Sequence, residues 1–239
     1  MSIVMYERVG FEGRRPSPFS WRTRLALAHK EIPVEFVPVR FADEGTIVKL
    51  SDQRFVPIVV DGDRVISDSW NIAVYLEATY PARPSLFGGS GGEKVSRLVN
   101  IWSDTSLHPP LRRIMFADFL WCLDPGDRAY FRKSREAEFG MSLEEACSSP
   151  GKWLELFEGA CAPLEKTLGE QAFLGGESPL YSDYVVFSVF QWARLGCPTE
   201  VVRSGSALWR WRERMLSLFN GVADAFPGYP KEKTGTDGR

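Results

Sequence analysis

The 239-residue chain has only two histidines, no Cys-x-x-Cys motif, no long hydrophobic run and almost no net charge. Its four cysteines, Cys122, Cys147, Cys161 and Cys197, are widely spread. With only His29 and His108 besides, no zinc-ligand spacing appears, so no metal is expected. The thiols read as buried or idle small hydrophobes. His29 sits at a helix end and His108 beside Pro109 and Pro110, which argues against a Ser-His-Asp triad. Lys and Arg total 29 against 31 Asp and Glu, a net charge of -2. No basic field is available to track phosphates, and nucleic-acid binding is not expected. Apolar runs such as "YVVFSVFQWA" fall far short of a membrane span. The stretch "MSIVMYERVG" lacks a signal-peptide core, and the expected location is cytoplasmic.

What is present is ordinary in amount, 44% hydrophobic and 25% charged residues, and ordered in pattern. The length suits one large domain or two modest ones. Over residues 1–80, "IVMYERV" reads as a strand, "PFSWRTRLALAHK" as a helix and "VEFVPV" as a strand that Pro38 confines to an edge or ends early. "RFADEGTIVKLSD" reads as one irregular helix. "RFVPIVV", "DGD" and "RVIS" read as strand, tight turn and strand. "DSWNIAVYLEATY" closes the half as a helix with Ile72, Tyr75 and Leu76, or Ala73, Leu76 and Tyr80, on one face. The order is β-α-β-α-β-β-α.

Residues 81–94, "PARPSLFGGSGGEK", read as a linker. Residues 95–226 then show helix-period stretches and little strand alternation. The expected fold class is therefore α/β followed by an all-helical domain. Pro109 and Pro110 are expected to break or kink a helix. Residues 227–239 read as a polar, frayed tail. Trp192, Trp209 and Trp211 read as core aromatics.

Three short motifs in the first half carry chemistry. Ser17 precedes Pro18, a pairing suited to N-cap and first helical position. Ser17 is a plain cap, a nucleophile, or a hydroxyl that steadies an anion at the helix mouth. No base is visible to take its proton, which disfavours the nucleophile. Ser20, one turn inside the helix, is the lesser alternative. Second, Pro57 interrupts a strand-like run. An edge or a sharp turn follows, with a cis Val56–Pro57 bond one option. Such a turn offers the Val56 backbone to a ligand that adds itself as an antiparallel strand. Third, Asp68 and Ser69 open a helix, either as ordinary caps or as a receptor for an α-amino acid head.

Together the Ser-Pro helix start, the Val-Pro turn about forty residues on and the Asp-Ser helix start resemble the glutathione transferase superfamily, as does the order of elements. The resemblance spans roughly residues 3–225. It implies a thioredoxin-like first domain, a cis bond at Pro57, glutathione as cosubstrate and a homodimer. It also implies that Ser17 hydrogen-bonds the glutathione sulfur, that the Val56 backbone pairs with the cysteinyl portion and that Asp68 and Ser69 hold the γ-glutamyl end. Gln53 and Arg54 are expected near the glycyl carboxylate. The stretches "SPFSWRTRLALAHK" and "LGGESPLYSDYVVFSVFQW" look like the serine-type bacterial lignin β-etherases and their fungal relatives, which implies aryl ether cleavage. The superfamily's usual Ser/Thr cap before Asp183 is replaced by Leu180. A serine at position 17 cannot form mixed disulfides, so conjugation or displacement is expected over thiol reduction.

In the helical half, His108, Leu111, Arg112 and Met115 are the candidates for an apolar pocket that takes an aromatic electrophile. Arg112 or Arg113 is the candidate to steady a departing phenolate, with solvated surface arginines as the simpler alternative. A second class of function stands beside the enzyme: a non-catalytic module of the same fold that holds a ligand or a protein partner.

Overall fold

The structure is a computed structural model and describes residues 3–230. β1 (Ile3–Arg8), α1 (Pro18–His29), β2 (Val34–Val39), α2 (Glu44–Ser51), β3 (Ile58–Asp61), β4 (Arg64–Ser67) and α3 (Ser69–Thr79) form the first domain. The sheet order is β2-β1-β3-β4. β1 pairs parallel with β2, so the chain must cross over between them, and α1 is that crossover. β3 runs antiparallel to both β1 and β4. β2 is an edge strand, as Pro38 predicts. The β3–β4 hairpin turns at Gly62, whose φ of +59° suits glycine.

α1 is buried along most of its length, because the sheet lies on one side and the second domain on the other. Its charged residues are therefore buried too. Arg24 donates to Glu7 on β1, which also pairs with Arg15 at 2.7 Å. The Arg24 guanidinium also lies over the Phe36 ring at 3.5 Å. On α3, Ile72, Ala73 and Leu76 are fully buried, while Tyr75 is only partly so.

The second domain comprises α4 (Ser90–Trp102), α5 (His108–Phe119), α6 (Pro125–Phe139), α7 (Leu143–Ala146), α8 (Pro150–Glu170), α9 (Tyr181–Gly196) and α10 (Ala207–Gly221). α9 is its axis, with Tyr181, Tyr184, Val185, Val186, Phe187 and Phe190 all inaccessible to solvent. No helix among the described residues is long and apolar enough to cross a membrane.

Several expectations are corrected here. The linker is shorter than expected, since α4 begins at Ser90. At Pro109 and Pro110, where a break or a kink is expected, the helix turns irregular without ending. A π-helical turn over Ser103–Leu107 joins α4 to α5, and the prolines fall in the first turn of α5, where an N–H is not needed. The last turn of α10 is irregular, because Phe219 and Asn220 adopt left-handed φ values of 52° and 60°. Part of the tail is tied down. Tyr229 N–H donates to the Arg194 carbonyl at 2.9 Å, and Arg14 Nε donates to the Gly228 carbonyl at 2.8 Å. Residues 231–239 of that tail lie outside the described residues.

Asp183 does what the missing Ser/Thr cap would have shared. Its buried carboxylate accepts N–H bonds from Leu174 at 2.7 Å, Gly175 at 2.9 Å and Leu180 at 3.0 Å. Trp211 Nε1 donates a fourth at 3.0 Å. The two domains meet closely at Gly10, after β1. A Cβ there would sit 2.2 Å from the Cys122 carbonyl oxygen, so only glycine allows this approach.

Candidate active site

Between the domains lies a cavity of about 600 Å³, within the usual range for small-molecule sites. Its wall on the first-domain side begins at the mouth of α1. Ser17 caps that helix, its Oγ accepting the Ser20 N–H at 3.2 Å, and Pro18 takes the first helical position. As an acceptor in the cap, the Ser17 hydroxyl keeps its own proton to donate. Ser20 is 1% exposed, its hydroxyl has no hydrogen-bond partner among the described residues, and it is not on the cavity wall.

The Val56–Pro57 bond is cis, and Val56 lines the cavity just before β3. Arg54 lines it as well, makes no salt bridge among the described residues and lies over the Phe55 ring at 5.7 Å. Gln53 is turned back into its own loop, donating to Ser51 Oγ and to the Phe55 carbonyl at 2.9 Å each. Asp68 and Ser69 lie outside the cavity wall, at the start of α3. Asp68 Oδ1 caps that helix, accepting the N–H groups of Trp70 at 3.1 Å and Asn71 at 3.0 Å. Ser69 is buried, and its carbonyl accepts the Tyr181 hydroxyl at 2.8 Å.

The second domain contributes His108 and Arg112 to the wall, but not Leu111 or Met115. The latter two are fully buried in the core. The four stand at i, i+3, i+4 and i+7 on one broad face of α5, and packing against α8 and α9, not helical spacing, covers Leu111 and Met115. Arg112 is already paired with Glu138 at 2.6 Å. Arg113 points elsewhere, over the rings of Phe139 and Trp153. Trp192, expected only as core, also lines the cavity and lies 5.3 Å from the His108 ring.

Sequence reasoning missed Arg8, Phe41, Glu44 and Asp104, and all of α6, which brings Tyr130, Ser134 and Glu138 to the wall. The one available signal was the i, i+4, i+8 stripe of polar groups at 130, 134 and 138. Tyr130 donates its hydroxyl to Glu44, so α6 closes over α2. No wall residue is a cysteine. Burial pushes the thiols of Cys122 and Cys161 up to about 12, which keeps them protonated and unreactive near neutral pH. No cluster of His, Cys, Asp or Glu suited to a metal exists among the described residues.

The N-terminal domain family of glutathione S-transferases matches residues 16–79, and the C-terminal domain family matches residues 95–213. A probable maleylacetoacetate isomerase of Vibrio cholerae is 30% identical over 71% of this chain and 72% of its own. This chain belongs to the glutathione S-transferase family. A zeta-class glutathione S-transferase of Euphorbia esula is 42% identical, but the match spans 29% of this chain and only 33% of the relative. Among solved structures, glutathione transferase GSTFuA3 of Phanerochaete chrysosporium superposes with a TM-score of 0.74 at 26% identity, over 94% of both chains. The glutathione S-transferase CsGST63524 of Ceriporiopsis subvermispora, crystallised with glutathione, gives 0.73 at 22% identity, again over 94% of each chain. The expected two-domain glutathione transferase fold is thereby established. Within the family, the serine-type role of Ser17 and the etherase grouping rest on the sequence resemblance alone.

Proposed function

We propose that this protein is a glutathione-dependent transferase in which Ser17 holds the glutathione sulfur as a thiolate facing a hydrophobic, aromatic electrophile. The observation that carries this reading is the position of Ser17. It sits on the cavity wall at a helix N-terminus, with a hydroxyl proton left to donate. The helix end and that hydroxyl both favour a negative sulfur. The Val56 backbone pairs with the cysteinyl part, and the unpaired Arg54 meets the glycyl carboxylate. Asp68 and Ser69 take the γ-glutamyl end, outside the cavity proper. Gln53 acts indirectly, by shaping the loop that presents Val56. The thiolate supplies the nucleophile. The residues supply its ionisation and its alignment with the electrophile.

Aromatic surfaces of Phe19, Trp192 and Phe119 on the wall suit an aryl group, and aryl ether cleavage is the displacement proposed. A second reading is glutathione-dependent isomerisation of an acidic substrate, as the name of the Vibrio relative suggests. It is favoured by Arg8, Arg54, Arg112 and Arg135 on the wall, against Glu44, Asp104 and Glu138. The exposed apolar side chains of Phe55, Val95, Leu98 and Ile101 are consistent with a homodimer.

Calorimetric titration with glutathione, followed by turnover of aryl ethers, aryl halides and maleyl acids with and without it, tests these readings. Glutathione-dependent loss of an aryl ether supports displacement. Turnover of the maleyl acid alone supports isomerisation. Binding without turnover of any class points to the non-catalytic module, and no binding at all rejects the assignment.

A further inference from the structure

One buried network on the electrophile side of the cavity has no part in holding glutathione. Arg22, on α1, is 1% exposed and reaches four elements. Its Nε donates to Ser188 Oγ on α9 at 3.2 Å, and one terminal nitrogen lies 3.4 Å from Asn100 Oδ1 on α4. The other donates to Asp104 Oδ1, on the π-helical turn, at 2.6 Å. That same nitrogen lies 3.3 Å from Nε2 of His108. Asn100 in turn donates to Asp104 Oδ2 at 2.8 Å, so the carboxylate is locked on both oxygens.

A guanidinium has donors and no acceptor. Nε2 of His108 must therefore be the acceptor in this pair, and a neutral imidazole then carries its proton on Nδ1. The charge state agrees. Burial, then Arg22, then Arg112 hold the His108 pKa well below its ordinary value, so the ring is neutral at physiological pH. Asp104 Oδ1 is 3.8 Å from Nε2, too far to reverse the tautomer by a hydrogen bond. The ring is also fixed in plane, between Phe19 at 5.3 Å and Trp192 at 5.3 Å between centroids. Nδ1 has no hydrogen-bond partner among the described residues, and the residue forms part of the cavity wall. A donor with a fixed tautomer, a fixed plane and no protein acceptor is suited to a ligand acceptor.

Given the proposed transferase reading, on which this step rests, we infer that His108 donates an Nδ1–H hydrogen bond to an oxygen of the electrophile. In the displacement the sulfur–carbon bond forms and the carbon–oxygen bond of the aryl ether breaks. The electron pair leaves on the aryloxide oxygen, where His108 steadies the growing charge. The imidazole proton stays on Nδ1, and the aryloxide takes its proton from water after release. Arg22 is the positioning residue that holds the tautomer.

The test uses the full chain loaded with S-methylglutathione, a non-reacting analogue, and para-nitrophenolate as the probe for the departing aryloxide. His108→Asn keeps an amide donor near the Nδ1 position. His108→Phe keeps the stacked ring and removes the donor. The expected result is that Phe weakens nitrophenolate binding about tenfold or more, while Asn stays within a few-fold of the parent. The visible band of bound nitrophenolate, which reports hydrogen bonding, should shift only in the Phe variant. Equal affinity in all three proteins, or equal losses in Asn and Phe, would overturn the role of His108. Nitrogen NMR of the unliganded parent gives a second check that needs no variant: an Nε2-protonated ring overturns the inference. Calorimetry with glutathione separates the levels. Without glutathione binding the transferase reading falls and takes this step with it. With glutathione bound and no difference between Asn and Phe, only His108 falls.

Discussion

Asp127, in the first turn of α6, accepts the backbone N–H of Ala42 at 3.0 Å, and so one domain holds a loop of the other. Its second oxygen accepts the Phe41 N–H at 3.3 Å and lies 3.5 Å from Arg40 Nε. The carboxylate is wholly buried. The loop it holds leads from β2 into α2 and carries Phe41 and Glu44 to the cavity wall. Replacing Asp127 with Ala leaves two backbone donors without their acceptor, at a cost of about 1–3 kcal/mol. Asp127→Ala should therefore lower the denaturant midpoint and raise the KM for glutathione, with kcat less affected. Asp127→Asn, which keeps one acceptor oxygen, should fall between. Parent-like unfolding and KM in the Ala variant would show that the loop holds its own shape.

For Ser17 the expectation separates capping from thiolate stabilisation. Loss of the cap in Ser17→Ala costs about 1 kcal/mol of stability, softened here because Pro18 still sets the first helical φ. Loss of a hydrogen bond to a charged sulfur costs about 1.5–3 kcal/mol, or about 1–2 pH units in the thiol pKa. The donor holds that pKa down, so its removal raises it. Turnover at neutral pH should fall, and the rise of rate with pH should move upward by that amount. Ser17→Thr, which keeps the hydroxyl, should retain the parent profile. An unmoved pH profile in the Ala variant would leave Ser17 as a cap and nothing more.

These two sites also mark how far the sequence could be read. Ser17, Pro57 and Asp68 were legible because each is a local backbone signal: a cap before a proline, a proline in a strand run, an acid before a helix. β2 and β4 begin and end where alternation and turn residues place them. What was not legible depends on contacts distant in sequence. Nothing within α6 says that Tyr130 reaches Glu44, or that Asp127 takes two N–H groups 85 and 86 positions away. Leu111 and Met115 are expected in the pocket with His108 and Arg112 because a proline-broken helix after the linker could turn all four toward the site. Which of them is covered is decided by the packing of α5 against α8 and α9, helices distant in sequence. Pro109 and Pro110 marked where the helix becomes irregular, but not that the irregularity is a π-helical turn over Ser103–Leu107.

Phe55 is 67% exposed, and on α4 Val95, Leu98 and Ile101 are 61%, 68% and 47% exposed. The three α4 residues follow one another at three-residue spacing, so they form a stripe on one helix surface. An apolar stripe left in water suits a protein–protein interface. If the chain is a homodimer through this surface, Leu98→Asp should place a charge in the interface core and shift the protein to monomer. Multi-angle light scattering at several concentrations reads this directly. A monomeric parent, or a dimer indifferent to both Leu98→Asp and Phe55→Asp, would remove the stripe from consideration.

Lys30, the C-cap of α1, has a fully buried side chain, and its Nζ meets Glu77 Oε2 on α3 at 2.7 Å. Glu77 also accepts the Leu86 N–H at 2.9 Å and the Ser85 hydroxyl, so it ties the linker to the first domain. Burial pushes the Glu77 carboxyl up, but the bonds from Lys30, Ser85 and Leu86 outweigh it and leave the pKa below the ordinary 4.5. Because the folded pKa is depressed, this contribution to stability is fully present above the unfolded pKa. It fades as pH falls through the folded value. Breaking a fully buried pair costs about 3–5 kcal/mol, and Glu77 is 26% exposed, so Glu77→Gln should cost about 1–3 kcal/mol at neutral pH. The gap to the parent should hold above the ordinary carboxyl value of 4.5 and narrow as pH falls through the lower folded value. Urea unfolding of both proteins across that range checks the sign, and a gap that stays constant into acid would mean that the charge on Glu77 adds nothing to its hydrogen bonds.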